Sequence, residues 1–326
     1  MPKQAVLLLA HGTPETVEQI PEYLRNVVSG RPVPQAVVEE IQHRYSLIGK
    51  SPLTEITMAQ ARLVETELAA AGAQVPVYVG MRNWRPYIPE VVRQMRADGV
   101  EEAAVISMAP QNSRTSVGLY RRAVEAEAGG LRIDFTAGWA DHPLLADAFA
   151  ERLRPALAKL SSEAGEPVPV LFTAHSVPTR TVEAPASGES GGPRQWPGPA
   201  AAGDPYAEDA RRTVELVAAR VPEIPRWWFA FQSQGASGGP WIGPSVEETL
   251  DRIAVDGVKA LILQPIGFLC DHVEILFDVD ILFRKYASKL KIRLERPESL
   301  NASQTLARAV ADLAKHGMRR LQNAEG

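Results

Sequence analysis

The sequence predicts an α/β protein with two doubly wound, Rossmann-like lobes, each built on a parallel sheet. The first observation behind this prediction is that short apolar runs alternate with longer amphipathic stretches, and strands buried on both faces read as continuous apolar runs. The second is an internal repeat, in which segment 6–14 returns as segment 170–178 with five of nine residues identical. The alternation is typical of doubly wound sheets, and the repeat indicates two such units.

The elements follow in order from these patterns. The predicted strands are the apolar runs, at residues 5–9, 75–79, 103–108, 168–173, 227–231 and 260–263. The predicted helices have apolar residues at helical spacing, at residues 57–71, 88–98, 143–160 and 204–220. Asp-Gly-Val also precedes a strand in both halves, at Asp98 and at Asp256, which extends the repeat. Chance is the alternative, because Asp-Gly is common turn chemistry.

The repeat divides the chain into two lobes. We expect residues 1–137 and a C-terminal helix at 298–326 to form the first lobe, and residues 138–297 to form the second, which carries the candidate active site. Residues 183–203 are rich in Gly, Pro, Ser and Ala, a composition that cannot bury a core. They are predicted to be a flexible insertion, with a lid as the alternative.

Composition excludes several classes of protein. Lys and Arg number 35 against 39 Asp and Glu, a net charge of −4, so no nucleic-acid partner is expected. The single cysteine, Cys270, excludes an intramolecular disulfide and favours a reducing compartment, which predicts a cytoplasmic protein. No apolar stretch reaches the roughly 20 residues of a membrane span. No transmembrane segment is therefore expected, and peripheral membrane contact stays open.

Candidate chemistry lies where strands end. In each half a predicted strand ends in Ala-His, at His11 and at His175. Ligands of open α/β sheets bind at the carboxyl ends of strands, so lobes that face each other would bring both imidazoles to one cleft. Further on, Glu274 and Asp278 are four residues apart among apolar neighbours, and so share a helix face. They are either solvated carboxylates at a helix start or a site for a cation or a proton path.

The motifs around these residues resemble those of the ferrochelatases, the enzymes that insert Fe2+ into a porphyrin in haem synthesis. The most specific are Ala-His-Ser-Val-Pro around His175 and Asp-His-Val-Glu-Ile-Leu-Phe-Asp, which ends at Asp278. Others are Ala-His-Gly-Thr-Pro around His11 and Gly-Met-Arg-Asn-Trp-Arg-Pro-Tyr, which ends at Tyr87. The resemblance implies a chelatase-like fold with a porphyrin cleft between the lobes, and a lyase that releases two protons as iron enters.

The resemblance also implies roles for single residues. His175 corresponds to the family's active-site histidine and Glu274 to its opposing glutamate, so both are predicted to be catalytic and to bind the metal. Asp278 is predicted to be a secondary metal ligand. We expect His175 on one face of the porphyrin, and Glu274 with Asp278 on the other. The residues predicted to contact the porphyrin are His11, Tyr120, Trp228 and Phe268, with an ordinary core position as the alternative for each aromatic side chain.

The expected partners are the porphyrin and Fe2+, both as substrates, and no prosthetic group is expected. A [2Fe–2S] cluster needs several cysteines, and this chain has one. Protoporphyrin IX and coproporphyrin III both stay open as substrates, and a monomer is expected. The alternatives are a chelatase for another metal or tetrapyrrole and a non-catalytic porphyrin or haem carrier. A carrier needs no proton acceptor, so the Glu274 carboxylate argues against it.

Overall fold

The computed structural model describes residues 2–182, 204–234 and 240–324, which form two parallel sheets flanked by helices. This arrangement confirms the predicted α/β class. The insertion predicted at 183–203 lies outside the described residues. Within the described residues, the strands are Gln4–Ala10 (β1), Val77–Met81 (β2), Glu102–Ser107 (β3), Arg132–Thr136 (β4), Val170–His175 (β5), Trp227–Gln232 (β6), Ala260–Pro265 (β7) and Arg293–Glu295 (β8).

Helices separate successive strands, as a parallel sheet requires. In the described parts of the chain the α-helices are Ile20–Val27 (α1), Gln35–Ile48 (α2), Leu53–Ala70 (α3), Ile88–Ala97 (α4), Val117–Glu125 (α5), Pro143–Ala164 (α6), Thr179–Val182 (α7), Tyr206–Arg220 (α8), Val246–Val255 (α9), Arg284–Lys289 (α10) and Gln304–Asn323 (α11). None of these described helices combines the length and the apolar character that crossing a membrane requires.

The two sheets have the same strand order. In the first sheet the order is β2-β1-β3-β4, and in the second it is β6-β5-β7-β8. The strands that end in the repeated Ala-His motif, β1 and β5, therefore occupy equivalent inner positions. This equivalence is what a repeat of one α/β unit produces, and it brings His11 and His175 to the carboxyl edges of their sheets.

The C-terminal helix returns to the first sheet. Helix α11 packs against β3 and β4, and also against α3 and α6. Its amphipathic sequence explains the position, because its apolar side buries residues such as Leu306, Val310 and Met318. The exact boundaries of the first lobe, at residues 137 and 298, stay a prediction.

One apolar core joins the two sheets. It includes Val6 and Leu8 of β1 and also Phe172 of β5, with Phe149 of α6 and Val310 of α11 between them. Gln111 adds a polar link, since its buried amide donates to the hydroxyl of Thr213 at 3.1 Å and to the carbonyl of Ile266 at 3.2 Å. The inner faces of both sheets are thus covered by the same layer of helices.

The segment after β7 forms a π-helix at Glu274–Phe283. Its apolar residues Ile275, Val279 and Phe283 are buried in the core on the outer face of the second sheet. The sequence pattern predicts α-helical spacing here, whereas the backbone adopts the wider i→i+5 hydrogen-bond pattern. This pattern is rare in proteins as a whole, and where it occurs it is often at a functional site. Glu274 is the first residue of this helix, so its position depends on the loop that follows β7.

Candidate active site

His175 is the last residue of β5, and its ring is oriented by the backbone. Its Nδ1–H donates to the carbonyl oxygen of Ser176, because a carbonyl can only accept. The backbone carbonyl of His175 accepts a hydrogen bond of 2.8 Å from the hydroxyl of Tyr206. A Cβ on Gly267 would lie 3.1 Å from Cα of Ala174 and 3.3 Å from the His175 nitrogen, so glycine allows the close approach of that loop without displacing β5. The Nε2 atom is left to face the site.

Glu274 lies between two imidazoles. Its Oε1 is 3.3 Å from Nε2 of His175, and its Oε2 is 3.4 Å from Nε2 of His272. The Nδ1–H of His272 donates to the carbonyl of Cys270 at 3.1 Å, so this ring is oriented in the same way as that of His175. His272 is not among the residues predicted from the sequence, although its place two residues before Glu274 was a usable signal.

The contact between His175 and Glu274 corrects one expectation. A porphyrin between them would need van der Waals contact of about 3.5 Å on each side, twice the spacing that the structure shows. The prediction that they lie on opposite faces of the ring is therefore wrong. The reason is topological, since β5 and β7 are neighbours in the second sheet and residues that follow their carboxyl ends meet at one edge.

The charges of the pair are coupled. Burial by itself opposes ionisation of both groups, but the carboxylate of Glu274 outweighs it at His175 and raises the pKa of that imidazole. Likewise, burial is outweighed at Glu274 by His175 and His272, which hold the pKa of the carboxyl well below its usual range. Both shifts favour the ion pair of an imidazolium with a carboxylate over the neutral pair.

Asp278 is nearly inaccessible and connects the π-helix to α2. Its Oδ1 lies 3.2 Å from Nη1 of Arg44, and its Oδ2 accepts from the hydroxyl of Ser233. Burial and the nearby charge of Glu274 raise the pKa of Asp278 to about 6, against the opposing effect of Ser233 and Arg44. A carboxyl with this pKa can take up and release protons near neutral pH.

We expect the fold to lose stability at Asp278 as the pH rises. Because its folded pKa is above its unfolded value, the contribution is present at low pH and is lost as the pH passes about 6. Between about pH 5 and pH 7.5 the loss is about 1 kcal/mol. Denaturant titrations at both pH values should show a smaller pH dependence in Asp278→Asn, and the exposed control Asp141→Asn should match wild type. Equal pH dependence in all three proteins would contradict this prediction.

His11 belongs to the first lobe, directly after β1. Its Nε2 lies 2.9 Å from the hydroxyl of Tyr23, and the amide nitrogen of Asn83 is 3.2 Å from both ring nitrogens. The side chain is accessible to solvent, yet the surrounding protein lowers the pKa of His11 to about 4 by disfavouring the charged form. His11 is therefore a neutral imidazole at physiological pH.

The charges of the second lobe reach this imidazole. Desolvation by the surrounding protein has the largest effect on the pKa of His11 and lowers it. Of the smaller effects, the charge of Glu274 raises this pKa, and the charges of His272 and His175 lower it. His11 is therefore close enough to the group formed by His175, His272 and Glu274 for their charges to act on it.

The predicted aromatic residues are not all brought together. Phe268 lies in the site, with its ring centroid 6.1 Å from that of His175 and 4.3 Å from that of His272. Tyr120 is 3% exposed in the core between the first sheet and α4, and burial raises its pKa to about 12. Trp228 pairs with Leu171, four register positions from His175 or about 13 Å along the strand, and packs under Arg226.

His175, His272 and Glu274 leave most of the coordination positions of a metal ion open. In residues 2–182, 204–234 and 240–324, no three His, Cys, Asp or Glu side chains are arranged to hold a metal ion together. His175 and Glu274 still offer the nitrogen and oxygen donors that suit a divalent first-row metal.

The fold has relatives among solved structures. Sirohydrochlorin chelatase of Bacillus subtilis subspecies spizizenii, in complex with cobalt, matches with a TM-score of 0.57 and 11% identity, over 98% of this chain and 97% of that one. A multi-domain chelatase-like protein of Deinococcus radiodurans matches with a TM-score of 0.54 and 13% identity, over 97% of this chain and 56% of that one. At these identities the likeness concerns the fold alone.

The fold is thus a two-lobed, chelatase-like α/β fold. The sequence profile of the family described as Ferrochelatase matches residues 3–318, and a ferrochelatase of Acidobacterium capsulatum is 56% identical over 99% of this chain and 97% of its own length. The chain belongs to the ferrochelatase family. This confirms the resemblance drawn from the motifs and the prediction of a lyase. A coproporphyrin III ferrochelatase of Mycolicibacterium vanbaalenii is 34% identical, over 96% of this chain and 89% of that one.

Proposed function

We propose that this protein inserts Fe2+ into a porphyrin with release of two protons, as a step of haem biosynthesis. The observation that carries the proposal is the contact of 3.3 Å between Nε2 of His175 and Oε1 of Glu274 at the edge of the cleft. Such a pair offers a nitrogen donor and an oxygen donor to a divalent metal, and both groups can carry protons. Family membership supports the same reaction.

The reaction needs acceptors for two pyrrole protons. A flat porphyrin holds its nitrogen lone pairs in the ring plane, and binding energy from its periphery can stabilise a bent ring that exposes them. Nε2 of His175 and Nε2 of His272 face the two carboxylate oxygens of Glu274, at 3.3 Å and 3.4 Å, so these three groups can pass protons among themselves. Asp278, with a pKa of about 6, is the next acceptor along the helix. We assign His175, Glu274 and His272 to one face of the ring.

His11 is assigned to the other face of the porphyrin, together with Tyr23. A neutral imidazole is a good ligand for haem iron, and a pKa of about 4 keeps His11 neutral at physiological pH. Phe268, next to His175, is the aromatic residue best placed to contact the ring. For Tyr120 and Trp228 no contact with the porphyrin is proposed, since one is in the core and the other near the amino end of β6.

Replacing His11 with alanine tests this assignment. We expect His11→Ala to change the Soret band of the bound product and its release rate, with a smaller loss of insertion than a change at His175 produces. Tyr23→Phe is the matched control, because it removes only the hydroxyl that occupies Nε2 of His11 and so preserves ligation. Identical product spectra for wild type and His11→Ala would exclude ligation.

The activity itself is tested by anaerobic incubation with Fe2+ and one porphyrin at a time. Protoporphyrin IX and coproporphyrin III are supplied separately, and loss of the free-porphyrin bands is followed in the absorption spectrum. Faster insertion into one of them identifies the substrate. Absence of insertion into either, with correctly folded protein, would refute the proposed function.

We also propose a monomer in the cytoplasm. The single cysteine, buried beside the site, fits a reducing compartment. Sedimentation of the purified protein and fractionation of the cells that produce it test the two statements.

A further inference from the structure

A largely buried arginine, Arg296, pairs with two aspartates of the segment that carries Glu274. The side chain of Arg296, directly after β8, is 10% exposed. Its Nε and Nη2 donate to the two carboxylate oxygens of Asp280, each at 2.8 Å, and its Nη1 lies 3.2 Å from Oδ1 of Asp271. Nη1 also donates to the carbonyl of Pro297 and to the hydroxyl of Ser299. One guanidinium thus binds two carboxylates; we call Arg296, Asp271 and Asp280 the Arg296 clamp.

Asp271 is held from a second side. Its carboxylate accepts from the hydroxyl of Ser299 at 2.6 Å and from the amide of Asn301 at 3.0 Å, and its backbone N–H donates to the side-chain oxygen of Asn301 at 2.9 Å. The amide of Gln60 donates to the Asn301 carbonyl at 2.9 Å, which connects this loop to α3. The end of the segment that precedes the π-helix is therefore fixed to the protein body.

The Arg296 clamp holds together the two ends of the segment that carries the site residues. His272, Glu274 and Asp278 all lie between Asp271 and Asp280 in the sequence. Both carboxylates bind the same rigid guanidinium, so the loop and the π-helix cannot move apart without breaking hydrogen bonds to charged groups, which are the strong ones. The position of Glu274 relative to His175 follows from that closure.

We propose that Arg296 is a positioning residue for metal insertion, which fixes Glu274 and His272 against His175 by binding Asp271 and Asp280 together. This inference rests on the proposed function. Arg296 acts through the two aspartates, since it donates hydrogen bonds to Asp280 and to residues 297 and 299 and forms an ion pair with Asp271. Catalytic groups tolerate little displacement, and a shift of about 1 Å can cost about a hundredfold in rate.

The test compares two clamp variants with a matched control. Arg296→Lys keeps the charge but cannot bind two carboxylates in the same way, and Asp280→Asn keeps the shape but loses one charge. Arg284→Lys is the control, because exposed Arg284 approaches the same Asp280 only to 3.9 Å. We expect kcat for insertion to fall at least about tenfold in both clamp variants, with KM for the porphyrin within about twofold of wild type. The control should match wild type.

Two readouts are independent of turnover. Hydrogen exchange should accelerate at residues 271–283 and not elsewhere, and the side-chain nitrogen resonances of His175 should shift in the clamp variants but not in Arg284→Lys. Unchanged His175 resonances, or kcat within twofold of wild type, would overturn the inference. Faster exchange throughout the chain would also overturn it, because it would show general stabilisation. If wild type inserts no metal, the proposed function fails, and the resonances alone decide whether Arg296 positions the site.

Discussion

Replacing His175 with alanine is expected to abolish metal insertion. The imidazole is the proposed nitrogen ligand and contacts the Glu274 carboxylate at 3.3 Å, so its loss removes a metal ligand and an acid–base group together. A positioned acid–base group alone contributes about a hundredfold to ten-thousandfold in rate, and we expect a loss at the upper end of that range. Anaerobic stopped-flow measurement of insertion, at saturating porphyrin, gives the turnover directly.

The fold should survive the change to alanine. The contacts that fix this position are backbone contacts, such as the hydrogen bond from the hydroxyl of Tyr206 to the carbonyl of His175, and they remain. His43→Ala, on the exposed side of α2, is the matched control and should retain full turnover. Turnover near that of wild type in His175→Ala would exclude the assigned role, since unfolding cannot then explain the result.

Replacing Glu274 with glutamine is expected to lower turnover about a hundredfold and to change KM for the porphyrin little. The amide keeps the shape of the carboxylate but neither accepts a proton nor balances the charge of His175. Without that charge, burial acts on His175 against only the smaller effects of Ser176 and Asp278, so the pKa of His175 falls. The acid limb of the pH–rate profile should therefore move to lower pH. Profiles of kcat/KM, which report the free enzyme, test both expectations.

Glu247→Gln, an exposed change on α9, is the control for the loss of one carboxylate from the second lobe. It should leave both the rate and the pH profile as in wild type. Unchanged turnover with lost porphyrin binding in Glu274→Gln would instead make Glu274 a docking group, and the proton-transfer assignment would have to be abandoned.

The inner strands of both sheets could be predicted from the sequence, and two edge strands could not. β1, β3, β5 and β7 are covered by helices on both faces, so they appear as apolar runs. β4, by contrast, is partly exposed along its whole length, and β8 has three residues, of which Arg293 is exposed. Neither edge strand contains a run that marks burial, and pairing with a neighbour is a property of the fold that no local pattern carries.

The site was predictable only where a motif carries it. His175, Glu274 and Asp278 lie in short motifs, whereas Arg44 reaches Asp278 across 234 residues, and no local pattern indicates that contact. Trp228 was a candidate for porphyrin contact because of its aromatic ring. It is the second residue of β6, however, and the amino end of a parallel strand is remote from the edge where ligands bind. The relative faces of His175 and Glu274 depend on which strands are neighbours, and that information is absent from the spacing of residues.

The apolar core common to both sheets limits how the enzyme can admit its substrate. Domains that close like jaws need a small or polar interface, over which they can rotate as rigid bodies. Here rotation would pull Phe149 and Val310 out of a layer that packs on both sheets at once. The distance between the two sheets is therefore fixed by the shared core. Any adjustment to a large planar substrate must come from small local movements of the π-helix and of the loops at the strand ends.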